Sequence, residues 1–341
     1  MLRFAAVGID HGHIFDHVKG LIATGAEFAG YCPKTTVPDL VESMAKAYPD
    51  VPQRDAEELI TDPGIDVICT AAIPRERAGV AIRAMQAGKD VMVDKPGVTS
   101  FDQLEEIQRT VAHTGRIFSI CFSERHCVRS AVVAGRLVAE GAIGRVVQTV
   151  GLGPHRLGNG TRPAWFWDPD AFGGILIDIA SHQIDQFLFY TGSGSADVVA
   201  SSVGNFATTR APAFQDFGEI LLRSDAGAGY IRVDWFTPDG LPAWGDGRLT
   251  ILGTEGYIEL RKYVDIGGKP GKDHLYLVDK EGVRYIDCSA EELEYFAAFA
   301  ADVRDRTETA MPQQHVYEVC RLSLEAQKRA EIISTTKGNR S

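Results

Sequence analysis

Along the first third of the chain, short apolar blocks alternate with segments in which apolar residues recur at helical spacing. Between Leu2 and about Ile120 the blocks are LRFAAVG, AEFAGYC, IDVICTAA, DVMVD and RIFSICF. Runs of this length bounded by turn residues read as buried strands. Arg75 to Gly88 and Phe101 to Thr114 read as helices, with Ser100 as an N-cap and Gly88 as a stop. Strand and helix in strict alternation predict right-handed βαβ units and a doubly wound parallel sheet of the Rossmann type.

The texture changes after Phe122. A helix is expected over roughly Val128 to Glu140, ended by GAIG, and the Trp- and Pro-rich stretch HRLGNGTRPAWFWDPDAFGG follows. From Ala196 to Cys288 the segments GEILLR, AGYIRVDWF, RLTILG, GYIELRKYV, HLYLVD and VRYIDCS alternate in polarity between Gly and Asp turns. They predict a large open, mostly antiparallel sheet with one amphipathic face. Helices are expected over about Ala290 to Arg306 and Gln313 to Ile333, before the polar tail TTKGNRS. The expected organisation is a Rossmann dinucleotide-binding domain over residues 1–122 and an α+β domain for substrate binding and oligomerisation over residues 123–341.

Composition narrows the function. At 341 residues, 45% hydrophobic and 24% charged, the chain suits two globular domains. A net charge of -11 disfavours nucleic acid and anionic membrane as partners. Six cysteines without a CxxC pair suggest neither zinc fingers nor a disulfide framework, and a reducing cytoplasm fits them. The N-terminal apolar run is short for a leader and reads as the first strand, and no stretch approaches the ~20 apolar residues of a membrane span.

The first strand runs into Gly8, Ile9, Asp10, His11, Gly12, His13 and Ile14, so the glycines stand where a strand-to-helix junction offers amides to a phosphate. The GxGxxG fingerprint is not intact, and a tight turn of any α/β domain would look similar. The second strand ends without the acidic residue that would hold an adenosine ribose; Lys34 and Thr35 stand nearby instead, which favours NADP over NAD. His11 and His13 would need a distant third ligand to bind a metal. They are read as contacts to cofactor, and no metal is expected.

The DVMVD run closes on Asp94, Lys95 and Pro96, which puts a lysine at the carboxyl edge of the sheet, where doubly wound folds bind ligands. Farther on, Asp178 and His182 are four apart and would share a helix face, with Asp185 beyond them. A histidine is a natural proton acceptor near neutral pH, and a carboxylate one turn away can fix its tautomer.

The Gly8 turn, the DKP of Asp94 to Pro96 and the GGxxxDxxxHxxD of Gly173 to Asp185 resemble the glucose-fructose oxidoreductase, inositol dehydrogenase and MocA (Gfo/Idh/MocA) family over nearly the whole chain. DKP stands where the family has EKP; Glu124, Arg125 and His126 stand at its RF segment, and Gly141 to Gly144 match its GxIG turn. The resemblance implies a Rossmann domain followed by an α/β domain with a large open sheet often used for oligomer packing, and the exposed sheet face predicts a homodimer or homotetramer. The resemblance also implies that Lys95 is the catalytic lysine, Asp178 the substrate-binding aspartate and His182 the proton-transfer histidine. Departures at the first loop, at Ala72 to Arg77 where the family has TPxxxH, and at Phe172 to Gly174 bear on cofactor choice and pocket shape.

The expected activity is hydride transfer between NADP or NAD and a secondary alcohol of a sugar, inositol or related polyol. His182 would be the base, Lys95 would stabilise the alkoxide, and Asp178 would position the substrate and His182. Gly8, Asp10, His11, Gly12, His13, Ile14, Lys34, Thr35, Ala72, Asp94, Lys95 and Pro96 are expected at the cofactor. Arg125, His155 and Trp165 are expected at the substrate with Lys95, Asp178 and His182; Trp167 and Arg156 share their segment, and aromatic faces there would stack on sugar rings or fill core. Two alternatives are glycoside cleavage without net redox change, and a ligand sensor that keeps the fold but not the chemistry.

Overall fold

The computed structural model describes residues 1–158 and 162–334. Asn159 to Thr161 of the Trp- and Pro-rich stretch, and the tail TTKGNRS, lie outside the described residues. The first sheet is parallel and built from β1 (Arg3–Ile9), β2 (Glu27–Tyr31), β3 (Val67–Ala71), β4 (Asp90–Asp94) and β5 (Phe118–Cys121), in the spatial order β2-β1-β3-β4-β5. Its crossovers carry α1 (Ile14–Ala23), α2 (Pro38–Ala47), α3 (Ala56–Thr61), α4 (Pro74–Gln86) and α5 (Phe101–Thr114). β3, β4 and β5 are buried along their whole length, which is why they read as continuous apolar runs rather than alternating ones. The Ser100 hydroxyl accepts the Gln103 amide at the start of α5.

Beyond β5 come α6 (Ser123–His126), α7 (Arg129–Ala139), β6 (Val146–Pro154), a short 3₁₀ turn at Ala164–Trp167, α8 (Pro169–Phe172), α9 (Ile175–Asp178) and α10 (Ala180–Thr191). Then follow β7 (Asp197–Gly204), β8 (Phe217–Arg223), β9 (Ala228–Asp234), β10 (Arg248–Gly253), β11 (Gly256–Arg261), β12 (His274–Asp279) and β13 (Gly282–Asp287), with α11 (Tyr295–Asp305), α12 (Gln313–Arg329) and β14 (Glu331–Ile333) last. The strands form a nine-stranded sheet, β13-β12-β11-β10-β6-β9-β8-β7-β14. It is mixed and mostly antiparallel, because β6 pairs with β9 and β14 with β7 in parallel.

α10 lies on the inner face of this sheet, across β6 and β9. The sheet permits that close approach through glycine: a Cβ on Gly151 would fall 2.6 Å from the Gln183 side chain, and one on Gly229 2.7 Å from the Phe187 ring. α12 packs on α10 and also returns to α5 and β5 of the first sheet, where the Gln313 side chain both accepts from and donates to the Phe118 backbone. One apolar core is therefore continuous through both sheets, and a smaller one sits between α7 and β10–β12.

Three strands differ from the sequence reading. β6 and β7 carry glycines, serines and adjacent valines, so their alternation is broken. The last helix stops at Arg329 rather than Ile333; Ala330 turns extended, and Glu331–Ile333 pair with Ser202–Gly204. No helix among the described residues is long and apolar enough to cross a membrane.

Candidate active site

Strand β1 delivers its turn to the carboxyl edge of the parallel sheet. Gly8 has φ +82°, and a Cβ there would lie 2.5 Å from the Ala72 Cβ, so both conformation and space demand glycine. Gly8→Ala is accordingly expected to destabilise the fold by roughly 1–3 kcal/mol, read as a lower urea midpoint. The amides of Asp10 and Ile14 are bonded to Ala71 and His11 carbonyls. Those of His11 and Gly12 make no hydrogen bond among the described residues, and a Cβ on Gly12 would meet nothing within 4 Å. Two open amides at the entry to a ten-residue helix are a surface that fits the pyrophosphate of a dinucleotide.

Several residues expected at the cofactor serve the turn itself. The Asp10 carboxylate accepts from the Thr36 amide (2.7 Å) and hydroxyl (2.8 Å), while the Thr35 hydroxyl bonds the Ile9 carbonyl at 2.6 Å and accepts the Val37 amide at 2.9 Å. Ile14 is wholly buried core. Ala72 walls the turn against Gly8, and its carbonyl accepts Arg77 Nε at 2.7 Å. Lys34 is exposed and available to a ligand.

At the end of β4, buried Arg77 from α4 holds the DKP turn, bonding the carbonyls of Asp94 (3.0 Å), Lys95 and Pro96 (3.2 Å) and the Asp94 carboxylate (2.9 Å). The Lys95–Pro96 peptide is cis. Lys95 Nζ donates to Asp178 Oδ1 at 2.9 Å, with 6% of the lysine side chain exposed. Burial alone would raise the Asp178 carboxyl, but the Lys95 ammonium outweighs it and holds it below the usual carboxylate range. This pairing replaces the expected one between Asp178 and His182. α9 ends at Asp178 and α10 starts at Ala180, so the two residues do not share an unbroken helix.

A cavity of about 370 Å³ gathers His11, His13, Lys95, His155, Trp165, Asp178 and His182. His182 is 2% exposed, its Nδ1 has no partner among the described residues, and burial, aided by Lys95, pushes it down to about 4. It is a neutral imidazole at pH 7. His155 Nδ1 donates to the Gly153 carbonyl at 3.1 Å, which leaves Nε2 as an acceptor; burial and then Lys95 push this ring to about 3. Phe166, Trp235 and Trp244 complete an aromatic wall, with the Arg162 guanidinium 5.0 Å from the Trp235 ring centre. Neither those residues nor Arg162 were distinguished by the sequence. Trp167 instead packs on Phe166 and Phe214.

Arg125 is the substrate residue that the structure moves elsewhere. It forms a two-pronged ion pair with buried Asp185 (2.7 Å each), which also accepts from His315 at 2.8 Å. Its neighbour Glu124 lines the cavity instead and is held by Lys262 Nζ at 2.6 Å and Gln183 Nε2 at 2.7 Å. Lys262 also donates to Gln186 at 2.8 Å, so a buried polar network from α6, α10 and the end of β11 lies beside His182.

Two family-level sequence models match the chain. Residues 17–122 match the oxidoreductase family with NAD-binding Rossmann fold, and residues 132–259 the GFO/IDH/MocA C-terminal domain. The chain is 26% identical over 253 residues to the scyllo-inositol 2-dehydrogenase (NAD(+)) of Bacillus subtilis (strain 168), covering 71% of this chain and 70% of that protein. A provisionally named oxidoreductase from Erwinia carotovora atroseptica SCRI1043 superimposes with a TM-score of 0.94 at 47% identity, over 98% of this chain and 100% of the other. Levoglucosan dehydrogenase in complex with NADH shares the fold, with a TM-score of 0.76 at 18% identity over 96% of this chain and 98% of its own.

Proposed function

From the premise that this chain belongs to the GFO/IDH/MocA oxidoreductase family, with its NAD(P)-binding Rossmann fold, we propose that it interconverts a secondary alcohol and a ketone on a sugar, inositol or related polyol. The observation that carries this reading is the buried Lys95–Asp178 pair in one cavity with the neutral His182, at the sheet edge beside the open amides of the phosphate turn. The inositol and levoglucosan dehydrogenases among its relatives support the substrate class. When bound, the dinucleotide supplies a hydride acceptor and donor at its nicotinamide ring.

The chain's own residues do the rest. His182 takes the hydroxyl proton, for which a neutral imidazole is needed. Lys95 Nζ, fixed by Asp178, hydrogen-bonds the same oxygen and stabilises the charge that develops as the proton leaves. Trp165, Trp235 and Trp244 offer faces to the CH side of a ring, and His155 offers an acceptor to a further hydroxyl. In this reading residues 1–122 hold the dinucleotide, residues 123–341 the substrate and the oligomer contacts.

The test is incubation with each dinucleotide and a panel of polyols and glycosides, following nicotinamide absorbance and free sugar. One reduced nicotinamide per substrate oxidised is expected, whereas sugar released with only catalytic cofactor would overturn the dehydrogenase. Exposed Lys34 favours NADP over NAD, so Lys34→Ala is expected to weaken NADP binding roughly tenfold and leave NAD within about twofold, by fluorescence titration. Exposed Val147, Val199, Leu221, Leu252, Tyr257 and Val283 on the nine-stranded sheet support self-association as a dimer or tetramer, and light scattering should give that mass.

A further inference from the structure

We propose that His11, His13 and Asp94 form a site for one divalent transition-metal ion of the zinc type, between the phosphate turn and the DKP turn. The histidine pair lacks a third ligand in its own loop. The fold supplies one from the end of β4, 81 residues along the chain. His13 Nδ1 lies 2.9 Å from Asp94 Oδ1 and His11 Nδ1 3.3 Å from Asp94 Oδ2, and all three ligand atoms lie within 4.8 Å of one another. Ligands ~2.0–2.2 Å from a common ion are about 3–3.5 Å apart, and the two His–Asp pairs, at 2.9 and 3.3 Å, have about that spacing.

Asp94, 1% exposed, draws the two imidazoles to its two oxygens. His11 Nδ1 also lies 3.3 Å from the His13 amide, and an ion bound here would take its single lone pair in place of that amide. Arg77 Nη2, 2.9 Å from the carboxylate, fixes its orientation in the way partners of ligating carboxylates do.

A second observation comes from His17, one helical turn beyond His13. Its side chain is buried at 2% exposure, its Nδ1 has no partner among the described residues, and the groups acting on it are Asp94, His13, Arg77 and His11. A buried imidazole with an unsatisfied nitrogen costs about 1–3 kcal/mol, so this corner of the site holds polar capacity that the protein itself leaves unused. An N,N,O set from three side chains leaves coordination positions open, and His11 and His13 both line the active cavity. Those positions suit an oxygen ligand, either a dinucleotide pyrophosphate oxygen or a substrate hydroxyl.

The site is tested on full-length protein stripped with a chelator and titrated with Co²⁺ or Zn²⁺ by calorimetry and by the visible spectrum of Co²⁺. One ion per chain at micromolar affinity or tighter is expected, with a spectrum free of thiolate bands. His13→Ala and His11→Ala should each weaken binding at least ~100-fold, while the exposed Arg109→Ala and Glu281→Ala, away from the cluster, leave it unchanged. Circular dichroism of each variant separates lost ligation from lost fold, and His11→Gln serves if the alanine variant does not fold. Tightening by dinucleotide assigns the open positions to pyrophosphate; tightening by polyol alone assigns them to substrate. Absence of stoichiometric binding, or binding that survives in folded His11 and His13 variants, overturns the proposal. Because binding is read without turnover, a protein that oxidises polyols and binds no metal would sink this site and spare the activity.

Discussion

Replacing Lys95 with methionine is expected to lower kcat by about 10²–10³-fold while dinucleotide affinity stays within about twofold. The side chain is nearly buried, and Asp178, 2.9 Å from Nζ, is the carboxylate paired with it. In the proposed reaction that ammonium meets charge developing on the substrate oxygen in a site shielded from water, where one lost donor costs ~10²–10³ in rate. Methionine also strips Asp178 of the group that holds its carboxyl low, so Asp178 protonates at higher pH and repels an alkoxide less effectively only after taking up that proton. His182→Gln should lower kcat similarly, by about 10²–10⁴-fold, with KM little changed. In the wild type, activity should fall only as pH drops towards about 4, well below the usual histidine range, because burial disfavours imidazolium in this cavity. Turnover within tenfold of wild type in Lys95→Met, measured by nicotinamide absorbance, would remove Lys95 from the mechanism.

The parts of this site that were legible are those whose chemistry is local in sequence. Lys95 follows a short apolar run and precedes proline, so its place at a strand end could be read directly; Asp178 and His182 could be read as neighbours, but not the break between α9 and α10 that removes their shared helix face. Contacts across the chain were not legible. Asp94 meets His13 across 81 residues and Glu124 meets Lys262 across 138, and only the strand order β2-β1-β3-β4-β5 and the return of β11 under α6 bring them together. Arg125 shows the same limit at short range. In the four-residue helix α6, consecutive side chains point in different directions, so Glu124 reaches the cavity and Arg125 reaches Asp185. Strand alternation succeeded for β8 to β13 and failed for β6, where Gly151 and Gly153 make room for Gln183 of α10, and for β7, where serines and adjacent valines break the pattern.

Lys262→Met is expected to cost about 3–5 kcal/mol of stability at pH 7, a large share of what a domain has. Lys262 is wholly buried and its Nζ sits 2.6 Å from Glu124, itself 2% exposed, so the variant leaves a carboxylate in a dry site without its cation. The pH dependence identifies the cause. Burial would raise the Glu124 carboxyl, but Lys262 chiefly, with His182 and His155, brings it down to about 2 from an ordinary 4.5. In the wild type, stability from this group is therefore complete above about pH 4.5 and is lost as pH falls towards 2, since the unfolded chain binds the proton first. In Lys262→Met the sign reverses: burial now holds the carboxyl above its unfolded value, the folded state binds the proton first, and the variant gains on the wild type as pH falls from 7 to 5. Glu124→Gln in the Lys262→Met background should recover most of the loss at pH 7, because no charge is then left buried. Urea unfolding of the three proteins at pH 7 and pH 5 measures all of this. A deficit that is the same at both pH values would mean that lost packing of the lysine stem, and not the stranded carboxylate, accounts for it.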